Sequence, residues 1–275
     1  MSRMADVPLQ RGTEPSNGSA VVRLVGVHKR FDAIVVLDGI DLTLREGETT
    51  VVIGESGVGK SVILKHIVRL LKPDRGEVYF RDRRIDDLPE RDLAVIRPRF
   101  GFLFQLNALF DSMTAGQNIA FPLVEHTRKT PDEVAEIVQN KLAMVGLGGM
   151  QDRWPAELSG GQKKRIALAR AIALDPEIIL YDEPTTGLDP PRADEINELI
   201  IKLKRELKVT SVVVTHDMAS ARKVADRILM LDHGKFIFDG TFEAIMKTDD
   251  PRVRCFVEGR CPDEVLETLH GAASK

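Results

Sequence analysis

The stretch that decides the fold spans residues 54–61 and reads Gly54-Glu55-Ser56-Gly57-Val58-Gly59-Lys60-Ser61. It fits the pattern G-x-x-x-x-G-K-[ST], a phosphate-binding loop that connects a strand to a helix. The apolar, β-branched run at 49–53 predicts the strand before it. Apolar residues at helical spacing, Ile63, Ile67 and Leu70, predict the helix after it. The motif therefore has the strand and the helix that it requires.

The residue types of this phosphate loop (residues 54–61) suit a nucleotide. Its glycines allow backbone conformations closed to other residues, so that N–H groups and the positive end of the helix can approach phosphate oxygens. Lys60 supplies a positive charge for the β and γ phosphates. Ser61 offers a hydroxyl to Mg²⁺, which prefers oxygen ligands. We therefore predict that the loop binds a nucleoside triphosphate together with Mg²⁺.

Composition and charge limit the class of protein. The chain has 275 residues, a formal net charge of −3 and 29% charged residues, which is ordinary for a soluble globular protein. A nucleic-acid partner is not expected, because domains that bind nucleic acid are usually basic. No apolar run approaches the roughly 18–20 residues of a membrane span. The two cysteines, Cys255 and Cys261, are expected to be thiols, since the core needs no disulfide.

The order of apolar runs predicts an α/β fold with a mainly parallel sheet. Strands alternate with helices along most of the chain, which places helices on both faces of the sheet. Strands predicted at 21–27 and 34–44 suggest an antiparallel edge. Residues 1–20 are expected to be a disordered lead-in. The α/β domain is placed at 21–245, with a C-terminal tail at 246–275.

Residues 106–165 break this alternation and predict a helical subdomain inserted into the α/β core. Thr130-Pro131-Asp132-Glu133 fits a capping box with proline at the first helical position. An apolar stripe at helical spacing follows it. Gly146 is expected to end that helix.

Polar residues follow four predicted strands, and ligands bind at the carboxyl ends of strands in open α/β sheets. Besides the phosphate loop, these residues are Gln105, Asp182 with Glu183, and His216. Asp182 has the place of the acid that holds Mg²⁺, and Glu183 is placed to polarise a water. His216 is placed to contact the γ phosphate. Taken singly, an Asp-Glu pair is more often a helix cap, and a lone histidine is more often structural.

A second glycine motif, Leu158-Ser159-Gly160-Gly161-Gln162, precedes a predicted helix. Its backbone N–H groups and the Ser159 hydroxyl can meet an anion, whereas the alternative is a glycine turn without a ligand. The motif belongs to the helical subdomain, and one bound nucleotide has little use for a second phosphate site.

The ordered set of motifs resembles the ATP-binding-cassette ATPases over residues 21–245. The set comprises the phosphate loop, Gln105, residues 158–162, residues 178–183, Gly187-Leu188-Asp189 and His216. The resemblance implies an ATPase that forms a head-to-tail dimer of two copies around two ATP molecules with Mg²⁺. Ser159, Gly160, Gly161 and Gln162 of one copy would cap the ATP held by Lys60 of the other.

The same resemblance implies further roles for single residues. Phe31 matches the aromatic residue that stacks on adenine, although tyrosine is more usual there. Gln105 would reach Mg²⁺ and the γ phosphate, and Asp189 would lie at the ATP site. Glu183 and His216 would act in hydrolysis.

A narrower resemblance implies the cargo. Residues 104–114, 118–123, 125–127 and 250–256 resemble the ATPase of the bacterial Mla (maintenance of lipid asymmetry) phospholipid transporters, which work with MCE proteins. This implies a membrane permease, an MCE-type lipid-binding protein and a small regulatory subunit as partners. It also implies a cytoplasmic subunit peripheral to the inner membrane. Cys255 stands where this family more often has glutamine.

The apolar residues after Gln105 have two interpretations. Leu109, Phe110, Met113 and Phe121 either line a groove for the permease or belong to the core of the subdomain. Three alternatives to the phospholipid function remain: an importer ATPase for a polar solute such as an amino acid, a soluble ATPase acting on ribosomes or DNA, and a binding protein with an inactive site.

Overall fold

The computed structural model describes the backbone of residues 10–11 and all of residues 18–259. This part of the chain contains the strands β1 (Gln10–Arg11), β2 (Ala20–Phe31), β3 (Ile34–Arg45), β4 (Thr49–Ile53), β5 (Arg75–Phe80), β6 (Arg83–Arg84), β7 (Phe100–Leu103), β8 (Ile178–Asp182), β9 (Thr210–Thr215), β10 (Arg227–Asp232) and β11 (Lys235–Gly240). Seven of them form one sheet in the order β1-β11-β10-β4-β9-β8-β7. All neighbouring pairs are parallel except β10 with β11, so the predicted mainly parallel sheet is confirmed.

The middle strands of this sheet are buried on both faces. Every residue of β4, β8 and β9 is buried, which is typical of parallel strands covered by helices on both sides. Val51 and Ile53 pack into the core on one face of the sheet, and Val52 packs into the core on the other. Because β4, β9, β8 and β7 are neighbours and parallel, their carboxyl ends lie along one edge.

The antiparallel strands form a second sheet of their own, in the order β3-β2-β5-β6, and are not an edge of the first sheet. Phe31 is the last residue of β2. The turn follows at Asp32, whose φ of 52° lies in the left-handed region.

The helices are α1 (Lys60–Ile67), α2 (Glu90–Ile96), α3 (Ala115–His126), α4 (Pro131–Met144), α5 (Gly160–Ala171), α6 (Pro190–Leu207), α7 (Met218–Val224), α8 (Phe242–Ile245) and α9 (Pro251–Glu258). Helices α3, α4 and α5 pack together where the helical subdomain was predicted, and α5 also contacts β7. The predicted capping box of α4 is present, because Thr130 and Glu133 accept each other's backbone N–H. Gly146, with a φ of 73°, follows the end of that helix.

The C-terminal helix α9 corrects one expectation. Cys255 is disulfide-bonded and therefore not a thiol. Only Val253 and Cys255 are buried in α9, so few of its side chains pack into the core. The disulfide at Cys255 further restricts the position of this helix. Cys261 and the rest of the predicted tail from residue 260 onward lie outside the described residues, as do residues 1–9 and 12–17 of the predicted lead-in.

Candidate nucleotide-binding site

The phosphate loop connects β4 to α1 and needs glycine at two positions for space. A Cβ on Gly54 would lie 2.4 Å from the carbonyl oxygen of Leu231, and a Cβ on Gly59 would lie 2.7 Å from Cγ1 of Val36. Gly59 is also the N-cap of α1, with a φ of 108° and no side-chain cap. The first N–H groups of α1 are thus left for an external acceptor, as a phosphate site requires.

Lys60 is buried and folds back onto the loop that carries it. Its Nζ donates hydrogen bonds to the carbonyl oxygens of Gly54 at 2.8 Å and Glu55 at 2.9 Å. It also lies 3.6 Å from Oε1 of Glu183. Burial lowers the pKa of Lys60, and the charges of Glu183 and Asp182 oppose that shift. The Lys60 ammonium group therefore lies at the loop, hydrogen-bonded to two neutral carbonyl oxygens that phosphate oxygens can replace.

Ser61 and Asp182 bring two oxygen donors together from α1 and β8. The Ser61 hydroxyl donates to Oδ1 of Asp182 at 2.6 Å. Burial raises the pKa of Asp182, the bond from Ser61 lowers it, and the charge of Glu183 raises it further. Residues 18–259 contain no cluster of three or more His, Cys, Asp or Glu side chains that could hold a metal. This donor set suits Mg²⁺, which commonly takes one or two protein oxygens and completes its shell with phosphate and water.

Glu183 and His216 meet at the ends of β8 and β9. Nδ1 of His216 lies 2.9 Å from Oε2 of Glu183, and the Thr186 hydroxyl donates to the same oxygen at 3.1 Å. The backbone of Glu183 has a φ of 50°, which is unusual for a residue with a side chain. Such a conformation persists only where its surroundings hold it, and here its N–H donates to the carbonyl of Val214 at 2.9 Å.

Among the described residues, no hydrogen bond or ion pair joins the other candidate residues to this cluster. Gln105 is exposed and lies two residues beyond the end of β7, which is the strand next to β8. Phe31 is 42% exposed, and Nζ of Lys29 lies 5.5 Å from the centre of its ring. Asp189 is the N-cap of α6 and accepts the N–H of Arg192 at 3.0 Å.

The second glycine motif lies at the start of α5. Ser159 is its N-cap and forms a capping box with Gln162, so Gly160 and Gly161 are the first two residues of the helix. Among the described residues, no hydrogen bond or ion pair joins this motif to the phosphate loop. A Cβ on Gly160 would meet nothing within 4 Å. The glycine at 160 is therefore not required by packing within this chain.

Sequence reasoning missed Lys164, a second buried lysine. It lies on α5 and is 2% exposed, with Nζ 3.4 Å from the carbonyl oxygen of Glu183 and 3.5 Å from that of Thr186. Burial lowers the pKa of Lys164, and the charge of Glu183 opposes the shift. Its position three and four residues before the buried Ala167 and Leu168 puts it on the apolar face of α5, a signal available in the sequence.

A comparison with protein families agrees with this site. The family model for ABC transporters matches residues 37–186, a span that includes the phosphate loop, the second glycine motif and the Asp182–Glu183 pair. The chain belongs to the ABC transporter family. The predicted resemblance, the α/β cassette fold and the ATPase class are thereby confirmed.

Two curated relatives of this ABC ATPase are closely similar over most of its length. It is 43% identical over 239 residues to a probable ribonucleotide transport ATP-binding protein, Mkl, of Mycobacterium tuberculosis, covering 87% of this chain and 67% of Mkl. It is 42% identical over 231 residues to the intermembrane phospholipid transport system ATP-binding protein MlaF of Haemophilus influenzae, covering 84% of this chain and 87% of MlaF.

A solved cassette shows the same fold. The dimeric ATP-binding cassette MJ0796, in a post-hydrolysis state with ADP and Pi, superposes with a TM-score of 0.74 at 37% identity. The match covers 80% of this chain and 98% of that cassette. In residues 18–259 of this ABC ATPase, every helix is too short or too polar to cross a membrane.

Proposed function

We propose that this ABC ATPase hydrolyses ATP to drive phospholipid transport, as a subunit bound to a membrane permease. The observation that carries the proposal is the cluster at the sheet edge. There Lys60, the Ser61–Asp182 pair and the Glu183–His216 pair lie together at the phosphate loop. The similarity to MlaF supports phospholipid as the cargo. The name of Mkl mentions ribonucleotides instead, which makes a ribonucleotide the second candidate cargo.

ATP would bind along the phosphate loop. Lys60 would exchange the carbonyl oxygens of Gly54 and Glu55 for oxygens of the β and γ phosphates, a stronger charge-assisted contact. The open N–H groups at the start of α1 would hold the phosphates from the other side. The exposed ring of Phe31 is free to stack on the adenine.

Ser61, Asp182 and Gln105 would hold Mg²⁺ beside these phosphates. The bound ion would neutralise negative charge on the phosphate oxygens. Glu183 would accept a proton from the attacking water while that water's oxygen bonds to the γ phosphorus and the bond to ADP breaks. His216 would keep the γ phosphate in place and orient the Glu183 carboxylate.

The second glycine motif supports a dimer. Ser159 and Gly160 are exposed, and Gly160 has open space where a side chain would be. A phosphate of an ATP held by another copy can approach this backbone closely. One phosphate loop and one such motif per chain then give two complete sites in a head-to-tail pair, with Asp189 at the same interface.

A groove beside the segment after Gln105 supports the permease. Phe110 is 40% exposed and Phe121 is 38% exposed, with ring centres 4.9 Å apart. They line a cavity of about 450 Å³ together with Phe100, Phe102 and Phe104. By contrast, Leu109 packs half-buried against the core, as expected for part of this segment. A permease helix would fit the groove, and the complex would contain an MCE-type protein and a small regulatory subunit.

The proposal is tested by purifying the tagged full chain with its partners from detergent-solubilised membranes. We expect an integral permease, an MCE-type protein, a small regulatory subunit and bound phospholipid, with ATPase activity raised by phospholipid after reconstitution. If ribonucleotides and not phospholipid raised the ATPase activity, the assigned cargo would be a ribonucleotide instead. A partner complex without lipid, supplied with amino acids by a soluble binding protein, would overturn the phospholipid assignment.

A further inference from the structure

A buried serine lies behind the pair formed by Glu183 and His216. Ser220, in α7, is 0% exposed. Its Oγ donates to Oδ2 of Asp217 at 2.6 Å and accepts from Nδ2 of Asn197 at 2.9 Å. Oγ1 of Thr185 lies 3.3 Å from the same oxygen. Since a hydroxyl donates once and accepts twice, these three contacts use its whole hydrogen-bonding capacity when Thr185 donates.

The three contacts of Ser220 join three segments of the ATP site. Thr185 is two residues after Glu183, on the loop that follows β8. Asp217 directly follows His216, on the turn that follows β9. Asn197 belongs to α6, the helix that Asp189 caps. One buried oxygen therefore connects the loop of the Glu183 carboxylate, the turn of the His216 imidazole and the helix behind both.

We propose that Ser220 is a positioning residue for ATP hydrolysis, whose hydroxyl holds the His216 turn against the loop of Glu183. The inference rests on the roles proposed above for these two side chains. Both lie on connecting segments directly beyond the strand ends. The Glu183 N–H bond to the Val214 carbonyl ties one of these segments to β9, and the Ser220 network links the turn of His216 to the loop after Glu183. A misplacement of about 1 Å can cost roughly 100-fold in rate, which makes a fixed distance valuable.

The network is separable from the fold of α7. Asp217 also accepts the N–H groups of Ala219 at 3.0 Å and Ser220 at 3.2 Å, so α7 keeps its N-cap without the Ser220 hydroxyl. Loss of the Ser220 hydroxyl would also remove the acceptor of Nδ2 of Asn197, whose Oδ1 has no partner among the described residues. Loss of the hydroxyl therefore loosens the link between the two loops while the helix remains capped.

The test is steady-state ATPase kinetics of the full chain carrying Ser220→Ala. We expect kcat to fall about 10- to 100-fold while KM and the affinity for MgATP stay within about twofold of wild type. Ser211→Ala is the matched control, because Ser211 is also 0% exposed and its hydroxyl lies beside Tyr181 rather than in the network around Ser220. This control should keep the wild-type kcat. An unchanged kcat in Ser220→Ala, or a parallel loss of MgATP affinity, would overturn the inference.

A double-mutant cycle separates positioning from general destabilisation. If Ser220 acts through His216, adding Ser220→Ala to His216→Ala should change kcat by less than about twofold. A further fall by the full factor of the single variant would show that Ser220 acts elsewhere and would overturn the inference. Wild-type activity of His216→Ala alone would refute the role proposed for His216, and the positioning role with it.

A milder variant covers the case in which Ser220→Ala does not fold. Thr185→Val has nearly the same volume and removes a single contact of the network, with the Ser220–Asp217 bond left intact. It should lower kcat by up to the factor of Ser220→Ala, with the same unchanged MgATP affinity, because Thr185 makes the contact between the network and the Glu183 loop. Wild-type kcat in this variant would contradict the link between the two loops.

Discussion

The two halves of the proposed ATP site are held in opposite ways. At the sheet edge, Lys60, Asp182 and Glu183 are only 5–7% exposed, and each makes at least one polar contact to another segment of the chain. At the start of α5, Ser159 and Gly160 are exposed, and the capping box with Gln162 is the contact that orders Ser159. The first half is organised within one chain, and the second half presents its donors outward.

Glycine illustrates the same difference. At Gly54 and Gly59 a side chain would collide with atoms of this chain, so internal packing explains the residue. At Gly160 a side chain would meet nothing within 4 Å. At Gly160 the open space leaves room for a group from outside the chain to come close to the backbone. This contrast favours a site completed by a second copy.

The largest expected effect comes from substituting Glu183, the proposed general base in the buried half. Glu183→Gln keeps the size of the side chain but cannot take a proton from water, so kcat should fall about 10²- to 10⁴-fold. MgATP should still bind and should trap a dimer, which light scattering detects. Glu136→Gln, an exposed change on α4, is the control and should hydrolyse ATP normally. Hydrolysis near the wild-type rate in Glu183→Gln would remove Glu183 from the role of base.

Breaking the exposed half should remove the dimer without harming the monomer. Gly160→Val should leave the melting temperature nearly unchanged, because the new side chain meets open space. In a dimer it would crowd two equivalent phosphate contacts, at a cost of roughly 1–3 kcal/mol each, so ATP-dependent association should weaken about 30-fold or more. Gly148→Val is matched, since Gly148 is also open. Equal ATP-dependent dimerisation in both variants would contradict the sandwich arrangement.

Much of the buried half could be predicted from the sequence because it depends on local patterns. The phosphate loop, the Asp182–Glu183 pair and His216 each follow a short apolar strand, and parallel strands must end at one edge. The capping box at Thr130 was predictable for the same reason, since its partners are three residues apart.

What could not be predicted depends on contacts between distant segments. The contact between Ser220 and Asn197 joins residues with no shared local pattern. The same holds for the contacts of Lys164 with the carbonyl oxygens of Glu183 and Thr186, although its burial on α5 was readable from the sequence. The antiparallel strands also showed their pairing in the sequence but not that they form a separate sheet. The disulfide at Cys255 could not be predicted either, because residue spacing does not show whether a thiol is oxidised.

A smaller effect is expected at the groove, where Phe110 and Phe121 separate coupling from folding. Truncation of an interface aromatic to alanine costs about 2 kcal/mol or more, so permease binding should weaken about 30-fold in each variant. Because both rings are partly exposed, the melting temperature of the isolated subunit should stay near wild type. Binding is measured by pull-down, together with lipid-dependent ATPase activity.

The control for the groove is Leu123→Ala, also on α3 but 1% exposed. A buried leucine of this kind should cost about 2–5 kcal/mol of stability. If Phe110→Ala and Phe121→Ala destabilise the isolated subunit as much as this control does, the two rings belong to the core and the permease binds elsewhere.

The smallest expected effect is a pH dependence of stability from His66, on the helix of the buried half that carries Lys60. His66 is 0% exposed on α1, its Nδ1 lies 2.7 Å from the carbonyl oxygen of Val62 and is assigned as the donor, and its Nε2 has no partner among the described residues. Burial lowers the pKa of His66 below its ordinary value of 6.5, helped by the charges of Lys29 and Arg69 and opposed by the Val62 carbonyl and Asp74.

The sign of the resulting pH dependence follows from the two states. Below pH 6.5 the unfolded chain binds a proton at His66 that the folded chain does not, so the stability present above that pH is lost as pH falls toward the lower folded pKa. The slope from this one group is at most about 1.4 kcal/mol per pH unit. His66→Leu should remove it, so urea unfolding at about pH 7.5 and pH 5.5 should differ less in the variant than in wild type. An identical pH slope in both proteins would show that His66 is protonated equally in the folded and unfolded states.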